Sequence, residues 1–328
     1  MASDNESEAP IEAGNFTDES DEFTPEDYNP TDDDDSVTSS IYRHAFENGR
    51  RYHHYRGGRY PIPNDDVEQD REDMKHAQML ELTDGLLHLA PIGNHPQKII
   101  DIGTGTGIWA IDMADKYPSA QVTGIDLSPI QPPWVPPNVS FLIDDAEDEW
   151  MSGDGFDLVH VRHVSNIMKN LPKLLERAFE NLKPGGWFET QDLEGVLRCD
   201  DDTMTDDFPL KQFMSKVGQA MSLFGFDFGI VPKIGAMMEK AGYVNVQKKV
   251  YKVPCGTWPK DRRLKLIGMY QRVSVESVLG ATAGKPFLAL GMSQPEIEVF
   301  LVGVRKALKD DSVHAYFNFY FWTGQKPL

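Results

Sequence analysis

The stretch KIIDIGTGTGIWAIDMADKYP, residues 98–118, decides the fold. KIID is short and apolar enough for a strand covered on both faces, three glycines alternate with threonines at Gly103, Gly105 and Gly107, and IWAIDMADKYP continues as a helix stopped by Pro118. A strand, a glycine turn and a helix in this order open a parallel α/β sheet. Glycines permit a tight turn and let a ligand approach the backbone, while the helix start presents unpaired N–H groups. A small polar or charged cofactor is therefore expected at the C-terminal edge of the strand.

Outward from this unit the alternation continues. VTGID (122–126), VSFLID (139–144), FDLVHVR (156–162) and GWFETQDLE (186–194) read as strands, and SNIMKNLPKLLERAFENLKPGG (165–186) reads as a helix with a glycine stop. Residues 206–243 are helical in pattern, VNVQKKVYKV (244–253) and HAYFNFYFWTG (314–324) are the last strands, and 258–312 between them form a long helical insertion. Upstream, an arm rich in aromatics, Arg and Gly (41–60) leads into a helix whose apolar positions Val67, Met74, Met79, Leu82 and Leu86 approximate one face. The expected organisation is an acidic tail at 1–40, an arm and cap helix at 41–96, and the main domain at 97–328. No internal repeat is present.

The 328 residues carry 32 Lys and Arg against 52 Asp and Glu, a formal charge of −20. Fourteen of the acids lie in residues 1–40, which hold no Lys or Arg, so the other 288 residues carry only −6. A tail this acidic and poor in apolar residues cannot offset its ordering entropy and is expected to be disordered. The balance disfavours a nucleic-acid surface. Arg50, Arg51, Arg56 and Arg59 form a local basic patch, read either as a phosphate or acidic-partner contact or as a salt-bridged arm. No run reaches the ~18 apolar residues of a membrane span and no signal-peptide pattern opens the chain, so a cytoplasmic protein is expected. Cys199 and Cys255 stand apart with no CxxC pair or Cys/His cluster, which points to reduced thiols and no metal site.

The glycine spacing discriminates between cofactors. A dinucleotide GxGxxG would need a third glycine at 108, which is Ile108. Asp101, two residues before Gly103, suits an ammonium group better than a pyrophosphate, which favours S-adenosylmethionine over NAD. Asp126 ends the second strand, where a carboxylate accepts both ribose hydroxyls, although NAD sites use the same device. Asp145, after the third strand, is placed for an adenine edge. Loop solvation or helix capping is the alternative for Asp126 and Asp145.

The succession DIGTGTG, VTGIDLSP, FLIDDAED, FDLVHVRH and LKPGGWFETQDLE resembles the ordered motifs of class I S-adenosylmethionine-dependent methyltransferases. Within that superfamily the arm ENGRRYHHYRGGRYPIPNDDVEQDREDMKH, the LKPGGWFETQD strand and the terminal HAYFNFYFWTGQKP resemble the fungal LaeA-like family, from about residue 41 to the end. The resemblance implies a Rossmann-like, seven-stranded, mostly parallel sheet with helices on both faces, an N-terminal arm and a helical insertion. It implies that Gly103, Gly105 and Gly107 lie under S-adenosylmethionine, Asp101 near its amino-acid portion, Asp126 on the ribose and Asp145 near the adenine. Members divide into nuclear regulators of secondary metabolism with velvet-type partners and enzymes that methylate a small molecule. The expectation here is an enzyme acting at oxygen or nitrogen of an apolar secondary metabolite, with the regulator as alternative.

Methyl transfer is an in-line displacement governed by alignment and desolvation, and a hydroxyl acceptor benefits from a base. His163, at the C-terminal end of the fourth strand, is the candidate catalytic residue; a histidine bonded to a loop carbonyl is the alternative. His160 is expected in the core. Glu189 and Asp192 are read either as substrate contacts or as caps, and Trp109 as packing near the cofactor. The arm and the insertion should wall the substrate side, with Tyr52, Tyr55 and Tyr60 candidates for closing over the cofactor. Phe224, Phe226 and Phe228 with Met214, Met221, Met237 and Met238 suggest an adaptable apolar lining.

Overall fold

The computed structural model describes residues 44–47, 50–53 and 63–328. The acidic tail, Arg56, Arg59, Tyr55 and Tyr60 lie outside the described residues. A two-stranded antiparallel ribbon, β1 (His44–Glu47) and β2 (Arg50–His53), precedes helix α1 (Asp66–Leu82). The main domain follows as β3 (Lys98–Ile102), α2 (Ile108–Lys116), β4 (Gln121–Asp126), β5 (Val139–Ile143), β6 (Phe156–Arg162), α3 (Leu171–Asn181), β7 (Leu182–Arg198), α4 (Pro209–Ser222), α5 (Ile234–Lys240) and β8 (Val244–Pro254). Helices α6 (Arg262–Ala289) and α7 (Gln294–Ala307) then precede the last strand, β9 (Tyr316–Gln325).

The seven strands order as β5-β4-β3-β6-β7-β9-β8, with β9 antiparallel to both neighbours. β3 pairs in parallel with β4 on one side and β6 on the other, so the chain reverses its direction of travel across the sheet between them. That switch point opens a crevice beyond the carboxyl ends of the strands. Side chains of β3 and β6 alternate faces as the strand period demands. Ile99 and Leu158 pack with Trp109, Ala110 and Met113 of α2, whereas Ile100, Ile102, Val159 and Val161 pack with α3 and α5. A separate core joins α4, α6 and α7 to the far ends of β7 and β9 through Phe213, Leu279, Phe287, Leu301 and Phe317.

Helix boundaries follow local chemistry. Asp65 caps α1 by accepting from the Glu68 amide, and a capping box of Ser293 and Glu296 starts α7. The helix expected over 165–186 is shorter: a single 3-10 turn at Ser165–Ile167 precedes α3, and Leu182–Gly186 already pair in β7. Lys183-Pro184-Gly185 cannot continue a helix, and Gly185 sits at φ +77°. The segment 206–243 is likewise two helices, parted by a loop around Gly225. The apolar face expected on α1 is corrected as well. Val67 is 59% exposed and Leu86 lies beyond the helix, while Glu68, Arg71, His76 and Gln78 are buried with Met79 and Leu82. That reversal matters because the buried charges face the functional site.

Candidate functional site

β3, β4, β5 and β6 end side by side, and the residue following each of them, Gly103, Leu127, Asp144 and His163, lines one cleft of about 1010 Å³. Pro63 and Asn64 from the end of the arm, with Glu68 and Glu72 of α1, form its opposite wall. Gly103, Gly105 and Gly107 all have φ between +58° and +82°. Two of them are set by packing, since a Cβ on Gly103 would lie 2.5 Å from Val164 and one on Gly107 2.3 Å from Phe141. Gly105 differs. A Cβ there meets nothing within 4 Å, so its backbone is bare toward the cleft.

Asp126 holds this loop in place. Its Oδ2 accepts from the Gly105 amide at 2.9 Å and its Oδ1 from the Ser128 amide at 2.8 Å. Burial nevertheless pushes its carboxyl up to about 6, against those two donors. Each oxygen keeps a lone pair for a further donor, such as a hydroxyl. Asp145 is buried beside it on the cleft wall, its Oδ1 accepting from the Glu147 amide at 3.0 Å. Asp101 does not line the cleft: Oδ1 takes a bond from His160 Nδ1 and Oδ2 one from Thr104 Oγ1, both at 2.7 Å. It shapes the glycine loop from beneath. His160 in turn stacks on Trp109 at 3.6 Å, and the Trp109 indole donates to the Leu87 carbonyl, so both belong to the core as expected.

The cleft suits S-adenosylmethionine on its charge as well as its shape. Six carboxylates line it against two cations, Arg162 and Lys169; with Glu68 and Glu72 ion-paired to Arg71 and Lys75, Asp126, Asp144, Asp145 and Glu147 remain to set its sign. Such a surface favours an ammonium and a sulfonium and opposes a pyrophosphate.

Beyond the cleft lies a second cavity of about 1030 Å³, and Glu72, His163 and Ile167 line both. Its walls are mostly apolar: Leu193 of β7, Phe213, Val217 and Met221 of α4, and Val275 and Val278 of α6. At one end Arg71, Glu72 and Lys75 of α1 form an ion-paired cluster with Glu68. Burial lowers Lys75 to about 8, while Lys75 and Arg71 hold Glu72 down at about 2. The insertion walls the cavity as expected; of the described residues ahead of α1, Pro63 and Asn64 line the cofactor cleft and none lines the cavity.

His163 stands where the two spaces meet. It has φ +59°, a left-handed conformation that costs a non-glycine residue about 1–2 kcal/mol. Its amide is pinned to the Gln191 carbonyl at 3.0 Å. Among the described residues neither ring nitrogen has a hydrogen-bond partner, and Nε2 is fully buried. The ring meets Phe319 edge-on at 5.3 Å. Burial, with Lys75, Arg162 and Arg71 nearby, holds its pKa well below the usual imidazole value, so it is neutral.

Other sequence candidates resolve into structure. Glu189 accepts from the Leu89 and Ala90 amides, and burial pushes it up to about 7. Asp192 accepts from the Ser165 hydroxyl at 2.6 Å. Both act as caps. Met214, Met221 and Phe228 line the second cavity, Phe224 is 44% exposed, and Met237 and Met238 pack under the sheet. Arg50 and Arg51 pair with Asp65 and Asp66, the salt-bridged arm. The charges of α1 were missed, because a helix is scanned for apolar spacing and this one buries polar groups. Among the described residues no helix is long and apolar enough to cross a membrane.

Sheet order, glycine loop and acid-lined cleft together define a class I S-adenosylmethionine-dependent methyltransferase. A family model described as "Methyltransferase domain" matches residues 74–248. The methyltransferase pytC of Aspergillus terreus is 39% identical over 294 residues, covering 89% of this chain and 91% of that protein. The secondary metabolism regulator LAE1 of Cochliobolus heterostrophus is 36% identical over 289 residues, covering 86% and 94%. The protein-methionine methyltransferase laeA of Emericella nidulans is 31% identical over 290 residues, covering 86% and 76%. The chain belongs to the LaeA-like methyltransferase family.

Proposed function

We propose that this methyltransferase acts on an apolar small molecule at a hydroxyl or amine, within secondary metabolite biosynthesis in the cytoplasm. The observation that carries the reading is the apolar cavity opening off the cofactor cleft at His163. A cavity walled by Phe, Met, Val and Leu, with polar groups at one end, suits an organic molecule. The similarity to pytC, described as a methyltransferase, supports the transfer activity.

Gly105, Asp126 and Asp145 hold the cofactor, and Asp101 positions the loop through Thr104. When bound, S-adenosylmethionine supplies an electrophilic methyl group on a sulfonium. Leu193, Phe213 and Val275 exclude water and set the acceptor against the opening at His163. A hydroxyl that accepted this methyl would become strongly acidic as its new bond formed. Neutral His163 takes that proton. A weak base suffices, because positive charge has already moved onto the acceptor.

A second reading, a nuclear regulator with a velvet-type protein partner, draws on the similarity to LAE1 and on the acidic tail. Incubation with methyl-labelled S-adenosylmethionine and an extract of the host separates the two. Label in an organic-soluble compound is expected. Label confined to protein would overturn the small-molecule reading.

A further inference from the structure

A third space lies on the other side of α4 from the acceptor cavity, and Gly195, Met214 and Phe228 line both. The helix itself shows how the two are divided. Phe213, Val217 and Met221 face the inner cavity, whereas Ser215, Gly218 and Ser222 face the outer one. Met214 belongs to both. Its unbranched thioether has several low-energy rotamers, so it can swing aside without displacing backbone.

Two glycines shape this region. At Gly195 a Cβ would fall within 3.0 Å of Phe228 Cβ, so the glycine lets the 226–229 segment lie directly on β7, its amide donating to the Phe228 carbonyl at 3.2 Å. Gly218 sits in the interior of a helix, where glycine weakens the element. A Cβ there meets nothing within 4 Å, so no close packing explains the residue; the space it leaves is the outer cavity. Val196, which lines the outer cavity, is 46% exposed.

We propose that the acceptor is an elongated amphiphile, its reacting head at His163 and its apolar tail running past Met214 and Phe228 into the outer cavity, with Gly218 setting the length accepted. This rests on the small-molecule reading above. The head end carries the polar groups, the Arg71–Glu72–Lys75 cluster with Gln271 and Ser274, and the passage between Met214 and Phe228 carries the apolar ones. Beyond that passage the outer cavity sets buried Phe226 beside exposed Ser215, Gln219, Ser222 and Asp227, so a chain lying along Phe226 would end at solvent.

A series of 4-alkylphenols, from ethyl to dodecyl, titrated into the full chain saturated with S-adenosylhomocysteine tests the proposal. Affinity should rise by roughly fourfold per methylene beyond the length that fills the inner cavity. In Gly218→Trp the short phenols should bind as in the parent chain, while the longest lose at least about tenfold, because the indole occupies about three buried methylenes of chain path. Ser222→Trp, one turn on along the same face, should cut the series at a longer chain. Unchanged S-adenosylhomocysteine affinity and thermal unfolding in both variants show that the loss is one of space. A series that stops rising at butyl in the parent chain, or one that neither variant shortens, would overturn the channel and leave the small-molecule reading standing. Binding of no alkylphenol of any length, with S-adenosylhomocysteine still bound, would overturn both.

Discussion

The cofactor cleft and the acceptor cavity share His163, Glu72 and Ile167, yet the chain supplies them in different ways. The cleft is assembled mainly from residues that follow consecutive strands of one sheet, and its central contact surface is backbone, bare at Gly105 and held by Asp126. The cavity is assembled from side chains far apart in sequence. Arg71 reaches Ser274 across 203 positions, and Gln78 reaches Gln271 across 193. A surface made of backbone at a glycine turn tolerates little change, because any side chain enters the ligand's space. A surface made of side chains on three separate helices can be recut one residue at a time. Donor recognition is therefore fixed by the fold, and acceptor choice is free to vary on it.

Substitutions on the two sides should break in different places. The largest effect belongs to Gly105→Asp. Its side chain would fill the open space over the loop that the ligand needs and set a second carboxylate beside Asp126, together costing several kcal/mol, so S-adenosylmethionine affinity should fall at least about 1,000-fold by calorimetry. His163→Gln comes next. It should lower methyl transfer by about 100-fold or more while leaving S-adenosylhomocysteine affinity unchanged, which places the residue on the acceptor side of the boundary.

The pH dependence of cofactor binding is smaller. Hydroxyl donors prefer the ionised form of Asp126, whose carboxyl is pushed up to about 6. Affinity should then be flat above that pH and fall by up to about tenfold per unit below it, and Asp126→Asn should flatten the curve. Deleting residues 1–38 should change neither thermal stability nor cofactor affinity, since those residues hold acidic charge and little apolar surface. A large loss of stability on deletion would show that the tail packs on the domain.

The donor half was legible in the sequence because local rules and tertiary demand agree there. Apolar KIID, glycines needing positive φ and a helix start leave few alternatives, and β3, the loop and α2 form where the pattern puts them. Asp101 shows the limit of such reading. Its place was legible, but whether its oxygens face the cleft or Thr104 and His160 depended on β6, a non-local neighbour. The acceptor half was legible only as composition. That Met214, Met221 and Phe228 line it, while Met237 and Met238 lie under the sheet, follows from how α4 and α5 pack on different faces. The ionic face of α1 ran against the expectation of an apolar stripe, because its partners on α6 lie about two hundred residues away.

The central claim is that donor and acceptor spaces meet at His163. A crystal structure of the S-adenosylhomocysteine complex tests it most directly. The ribose should lie on Asp126 and the thioether sulfur at the opening lined by His163, Glu72 and Ile167, facing the apolar cavity. A ribose away from Asp126, or a sulfur directed to bulk solvent on the arm side of the cleft, would contradict it.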